Sequence, residues 1–146
     1  MKTCGTTFAS MILLGVVTFG SVGCGGPSEP TIVRSVSTRT ESLSAGFGRF
    51  ETFTSTASGS VQVTLNWNNA ANNFDMSVVA NGCNNPEAGL VGIGAACAAI
   101  AYAASSAKPE TLSFEAAANT TYKIVVGNLG PAADSYTLTI EYPDFQ

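Results

Sequence analysis

The sequence predicts an all-β fold, an antiparallel β-sandwich of jelly-roll-like form with seven to eight strands. Val61, Val63, Leu65 and Trp67 alternate with Gln62, Thr64 and Asn66 without a break. The same alternation returns at Tyr122, Ile124 and Val126, and again at Tyr136, Leu138, Ile140 and Tyr142. A period of two means a strand with one buried and one wet face. Short strands of this kind, with turn residues between them, point to a sandwich.

The elements follow in order. From Cys24 to about Ser44 the chain is rich in Gly, Pro, Ser and Thr. It reads as a tether, with a first edge strand near Thr31 to Val36. Phe47, Arg49, Glu51 and Phe53 share one parity and Gly48, Phe50 and Thr52 the other, which predicts a strand without deciding its buried face. Ser58, Gly59 and Ser60 form a turn before the strand Val61 to Trp67. Asn68, Asn69, Asn72 and Asn73 make the next turn, Phe74, Met76 and Val78 the next strand, and Asn81-Gly82 a strong turn signal. Residues 83–107 read as a long disulfide-pinned loop followed by a strand at Ile100 and Tyr102. Leu112 and Phe114 mark another strand, and Asn128 to Asp134, with Gly130-Pro131, reads as a hairpin loop joining the last two. The expected core is Val61, Val63, Leu65, Trp67, Ile124, Val126, Leu138 and Ile140.

The chain opens as a targeting segment. Met1 and Lys2 give a positive start, and Phe8 to Val22 is largely apolar, uncharged and short for a membrane span. Ser21-Val22-Gly23-Cys24-Gly25 resembles the bacterial lipoprotein signal, in which the cysteine is acylated and becomes the first mature residue. Ser21 stands where that signal usually has Leu. The resemblance implies a lipid such as palmitate on Cys24 and anchoring in the cell envelope, at the outer membrane or cell surface. A plain secretory peptide is the competing reading. The expected division is a signal peptide over 1–23, the lipidated cysteine and tether over 24–45, and the sandwich over 46–146. A lone acyl chain anchors only marginally, whereas two or more hold a protein firmly.

The net charge is −4, and loss of residues 1–23, with Lys2, makes it one unit more negative. No Lys/Arg cluster offers a footprint for nucleic acid. Cys83 and Cys97 remain as an even pair once Cys4 and Cys24 are assigned to the leader and lipidation site. In an oxidising compartment they are expected to form a disulfide.

The chain has no histidine, which removes Ser/His/Asp and Cys/His schemes and the commonest transition-metal ligand. Its carboxylates are scattered, so an enzyme is not expected. Calcium suits oxygen ligands, and Asp75 with Asn72 and Asn73 is the candidate set; a plain Asn/Asp turn is the alternative. No other cofactor is expected. Trp67 and the tyrosines could stack on sugar rings, but their parity with Val61, Leu65, Ile124 and Leu138 assigns most of them to the core. Opposite them, Gln62, Thr64, Asn66, Thr137, Thr139 and Glu141 suit hydrogen bonding to a polymer or form an ordinary solvated sheet.

The strand Val61 to Trp67 followed by Phe74-Asp75-Met76, the segment Pro109 to Phe114, and the closing pair Thr121 to Val126 and Tyr136 to Ile140 resemble the bacterial pre-peptidase C-terminal domain family. The likeness covers about Phe50 to Tyr142. Where that family's turn often carries two Asp around an apolar residue, only Asp75 matches, with Asn72 and Asn73 in the neighbouring places. The resemblance implies a β-sandwich accessory domain, related to collagen-binding domains that bind calcium. Such domains usually follow a catalytic domain, and none is expected in this chain. The expectation is therefore a non-catalytic envelope module binding an extracellular polysaccharide or protein, with a purely structural lipoprotein as the alternative.

Overall fold

Every alternating segment folds as a strand, because only a pleated chain puts successive side chains on opposite faces. The computed structural model describes residues 30–86 and 97–145. Among them run β1 (Ile32–Leu43), β2 (Gly48–Ser55), β3 (Gly59–Trp67) and β4 (Phe74–Ala80). Then come β5 (Ala99–Ala103), β6 (Glu110–Ala116), β7 (Thr120–Asn128) and β8 (Asp134–Phe145). They form two four-stranded antiparallel sheets, the first in the order β1-β8-β3-β6 and the second in the order β2-β7-β4-β5. Strands 1 and 8, 2 and 7, 3 and 6, and 4 and 5 pair, as when one long hairpin rolls up on itself. This is the eight-stranded jelly roll.

The inner faces meet in one core. All eight expected core residues are buried, with Trp67 the most exposed at 3%. Leu43, Phe53, Phe74, Met76, Val78, Leu112, Phe114, Ala116, Tyr122 and Tyr136 belong to it as well. The parity left open in β2 resolves in favour of Glu51, Phe53 and Ser55, all buried.

Two expectations are corrected. The edge strand expected near Thr31 to Val36 is present but extends well beyond it: β1 runs twelve residues in unbroken register with β8, so most of the stretch expected as tether is strand and the sandwich starts at Ile32 and not at 46. Up to Ser42 its side chains alternate between exposed and half-buried, and polar residues occupy both faces, so no apolar period marks its full length; only Leu43, at its end, is buried. The loop from Asn128 to Asp134 is no hairpin, since β7 and β8 lie in different sheets and the loop crosses between them. Among the described residues only β4 and β5 are consecutive strands that pair within one sheet.

A buried carboxylate closes each open edge of the sandwich. At the β1/β2 edge Glu51 accepts from Arg39 at 2.9 Å and from the Tyr136 hydroxyl at 2.9 Å, with Arg49 Nε at 3.2 Å. At the β5/β6 edge Glu110 Oε1 accepts the Ser105 amide at 2.6 Å, while Oε2 has no hydrogen-bond partner among the described residues.

Candidate functional site

Three crossings meet at one end of the sandwich, and asparagines hold them together. The turn Ser44–Phe47 closes through Phe47 N–H to Ser44 O at 3.3 Å, with Gly46 at φ +77° where only glycine sits without strain. Asn128, fully buried, is the hub of this end. Its backbone pairs with Gly46 and Phe47. Its Nδ2 donates to Leu43 O and Ala132 O at 3.0 and 2.8 Å, and its Oδ1 accepts from Gly130 N–H at 3.0 Å. Asn128→Ala leaves three backbone groups without their partner, of which the Leu43 carbonyl is buried and those of Gly130 and Ala132 are nearer solvent, so urea unfolding should show a loss of about 1–3 kcal/mol. A loss under ~0.5 kcal/mol would mean water replaces the side chain.

The expected calcium ligands sit beside this hub, and the structure divides them. Asn72 is committed to loop packing: its carbonyl accepts Trp67 Nε1–H at 3.0 Å and its Oδ1 accepts Ala132 N–H at 3.2 Å. Gly130 lies so close that a side chain there would collide with the Asn72 backbone. Asn73 and Asp75 do stand together, Asn73 Nδ2 donating to Asp75 Oδ1 at 3.0 Å, while the buried Asn73 Oδ1 has no hydrogen-bond partner among the described residues. Among the described residues no three His, Cys, Asp or Glu side chains gather to hold a metal.

Glu110 joins this neighbourhood from β6. Burial pushes its carboxyl above the ordinary value, the Ser105 hydrogen bonds pull against that, and the Asp75 charge adds to it. Burial likewise raises Asp75 against the pull of the Asn73 amide. A carboxyl that holds its proton more tightly in the folded state contributes stability that is fully present in acid. That stability is lost as pH rises past the ordinary carboxylate range near pH 4–4.5. Glu110→Gln should therefore flatten the fall in melting temperature between about pH 4 and pH 7. Parallel wild-type and variant curves in thermal circular dichroism would reject this.

The disulfide forms as expected between Cys83 and Cys97. Closing a loop of this length contributes about 3 kcal/mol in the chain-entropy model. The two half-cystines sit on the outer face of the second sheet, where with Val79, Val125 and Phe50 they make a second apolar cluster. Lys123 clamps it: Nζ donates to Cys83 O at 2.6 Å and Asn84 Oδ1 at 3.1 Å, and lies 4.9 Å from the Phe50 ring centroid. The second sheet is thus covered where Val79 and Val125 point outward.

The outer face of the first sheet carries a different surface. Register puts Thr38, Thr139, Thr64 and Thr111 in one row across all four strands. The next row is Thr40, Thr137 and Asn66, with the Thr40 and Thr137 hydroxyls 3.2 Å apart. On the other side lie Val36, Glu141, Gln62 and Ser113. Adjacent threonines of a row are spaced by the strand separation, about 4.8 Å. The sequence showed Thr64, Thr137 and Thr139 facing away from the core, but Thr38, Thr40 and Thr111 join them only through pairing between distant segments.

The aromatic residues divide as their parity required. Trp67, Tyr122 and Tyr136 are core, Tyr142 packs partly buried against it, and Tyr102 is exposed. Cys24 lies outside the described residues.

No family profile and no curated protein matches the chain. Among solved structures it is similar to PliG of Aeromonas hydrophila, a periplasmic inhibitor of g-type lysozyme, at 14% identity and a TM-score of 0.49. That alignment covers 76% of this chain and 86% of the other. It is also similar to a Bacillus endospore appendage protein of a family of disulfide-linked pili, at 15% identity and a TM-score of 0.43, over 84% and 97% of the two chains. Likenesses at this level bear on neither mechanism nor partner.

Proposed function

We propose that the protein is an exported, non-catalytic binding module of the bacterial cell envelope, held by lipid on Cys24, that recognises a neutral, hydroxyl-bearing extracellular polymer. The observation that carries this reading is the threonine row Thr38, Thr139, Thr64 and Thr111 on the outer face of the first sheet. Its middle bears hydroxyls, amides and methyls and no charge, so it offers both donors and acceptors to a repeating chain. The disulfide supports export, since such bonds persist in oxidising compartments. The resemblance to pre-peptidase C-terminal domains belongs to the same reading, as does calcium at Asn73 and Asp75.

Retention on insoluble polysaccharides, peptidoglycan and fibrous protein tests it, with calcium and again with chelator. A neutral polysaccharide should retain the wild type, and Thr38→Glu with Thr111→Glu, both at exposed positions on edge strands, should abolish retention without unfolding the domain. Loss of retention in chelator would bring in the Asp75 pair. Failure on every polymer would leave a purely structural envelope lipoprotein.

A further inference from the structure

The chain enters the sandwich at a corner that carries its own apolar surface. Ile32, the first residue of β1, pairs with Phe145, the last of β8, and both are exposed, at 57% and 43%. Two residues further along the same face of β1, Arg34 pairs with Pro143, and after it Val36, 63% exposed, pairs with Glu141. Ile32, Val36 and Phe145 thus share the outer face of the first sheet at one end of the molecule, with the Arg34 guanidinium between them, 3.8 Å from Glu141. Apolar and aromatic side chains around an arginine are the composition of a surface that lies at a lipid headgroup boundary. Asp144 lies alongside and is occupied, accepting from Thr56 and from Ser35 at 3.0 Å.

The length of chain before β1 selects the occupant. Between Cys24 and Ile32 lie only residues 25–31, because β1 takes up most of the stretch expected as tether. Even fully extended, that segment spans at most roughly 25–30 Å. The twelve residues of β1 extend about 36 Å along the sandwich. A domain anchored at Cys24 therefore cannot turn over and place its far end, with the exposed Phe47 and Leu129, on the bilayer. The Ile32/Phe145 corner is the part held nearest the lipid.

We propose that this corner rests on the lipid bilayer through Ile32, Val36 and Phe145, which fixes the domain upright with its asparagine-rich end directed away from the membrane. The proposal rests on the lipid-anchored reading above. The patch supplies orientation, and the acyl chains supply the affinity.

The full chain, expressed with its own leader and recovered in its processed form, is reconstituted into phosphatidylethanolamine/phosphatidylglycerol vesicles containing brominated acyl chains. Mass spectrometry of the N-terminal peptide reports lipidation independently. If Cys24 is unmodified, the anchored reading fails by itself, and the same protein is then coupled through the Cys24 thiol to a maleimide phospholipid. In either form, a tryptophan from Phe145→Trp should be quenched several-fold more than one from Leu129→Trp, with the buried Trp67 as common background. Ile32→Ser with Val36→Ser should remove most of that difference while leaving the melting temperature near wild type. Equal quenching at both ends, or stronger quenching from position 129, would overturn the proposal. So would absence of quenching with cross-linking between copies through this corner, which would make a second copy the occupant.

Discussion

Replacing Trp67 by alanine is expected to lower the free energy of unfolding by about 3–5 kcal/mol. Trp67 ends β3 on the inner face, 3% exposed, with its ring stacked 5.5 Å from that of Phe74 across the sandwich. Tyr136 is its cross-strand neighbour on β8 and lies 5.8 Å from Phe74, so three rings from both sheets close this end of the core. The indole N–H also donates to Asn72 O, which positions the β3–β4 crossing. Alanine leaves a cavity that strands packed on both sides cannot easily collapse into, and it leaves the Asn72 carbonyl unpaired. Trp67→Phe separates the two contributions: it keeps most of the ring contact and should cost about 1–2 kcal/mol. Urea unfolding of both variants decides the matter. A Trp67→Ala protein of wild-type stability that no longer binds a polymer would make the indole a ligand platform.

The strands legible in the sequence are those with one face dry. In β3, β7 and β8 the apolar period was complete, and the structure buries Val61, Val63, Leu65, Ile124, Val126, Leu138 and Ile140 to 0% exposure. β1 was legible only at its start, near Thr31 to Val36, for the opposite reason. An edge strand whose side chains before the buried Leu43 are at most half-buried needs no apolar parity, and its Ser/Thr/Arg composition matches that of a linker. Turn chemistry was legible as turn but not as destination, because Gly130-Pro131 serves a crossing between sheets as well as a hairpin. The rolled pairing, which brings residue 32 beside residue 145, leaves no local trace. The site residues show the same limit. Asn72 has the side chain of a ligand or of a turn, and only its contacts with Trp67 and Ala132 assign it to packing. Glu51 shares parity with Phe53, and Glu110 with Leu112 and Phe114, so a signal for both buried carboxylates stood in the sequence. What parity could not tell is which one finds partners.

That difference in partners sets the second large effect. Removing both arginines from the β1/β2 edge, Arg39→Ala with Arg49→Ala, is expected to destabilise the fold by about 3–5 kcal/mol, because it leaves Glu51 buried without a counter-charge. The asymmetry lies in exposure. The Glu51 side chain is 4% exposed, whereas Arg39 and Arg49 are 41% and 45% exposed and keep much of their hydration. Losing the carboxylate frees two solvated cations at little cost, while losing the cations strands a desolvated anion. The Tyr136 hydroxyl stays as one donor to Glu51, and its own proton is held far above the ordinary phenol value by burial and by the Glu51 charge, so it cannot neutralise the carboxylate. Adding Glu51→Gln to the double variant should recover most of the loss, since the amide keeps an oxygen for Tyr136 and carries no charge to desolvate. Chemical denaturation of the three proteins checks both steps. If the triple variant is no more stable than the double, the arginines act through the packing of their aliphatic stems over the edge, and the charge of Glu51 is not what they hold in place.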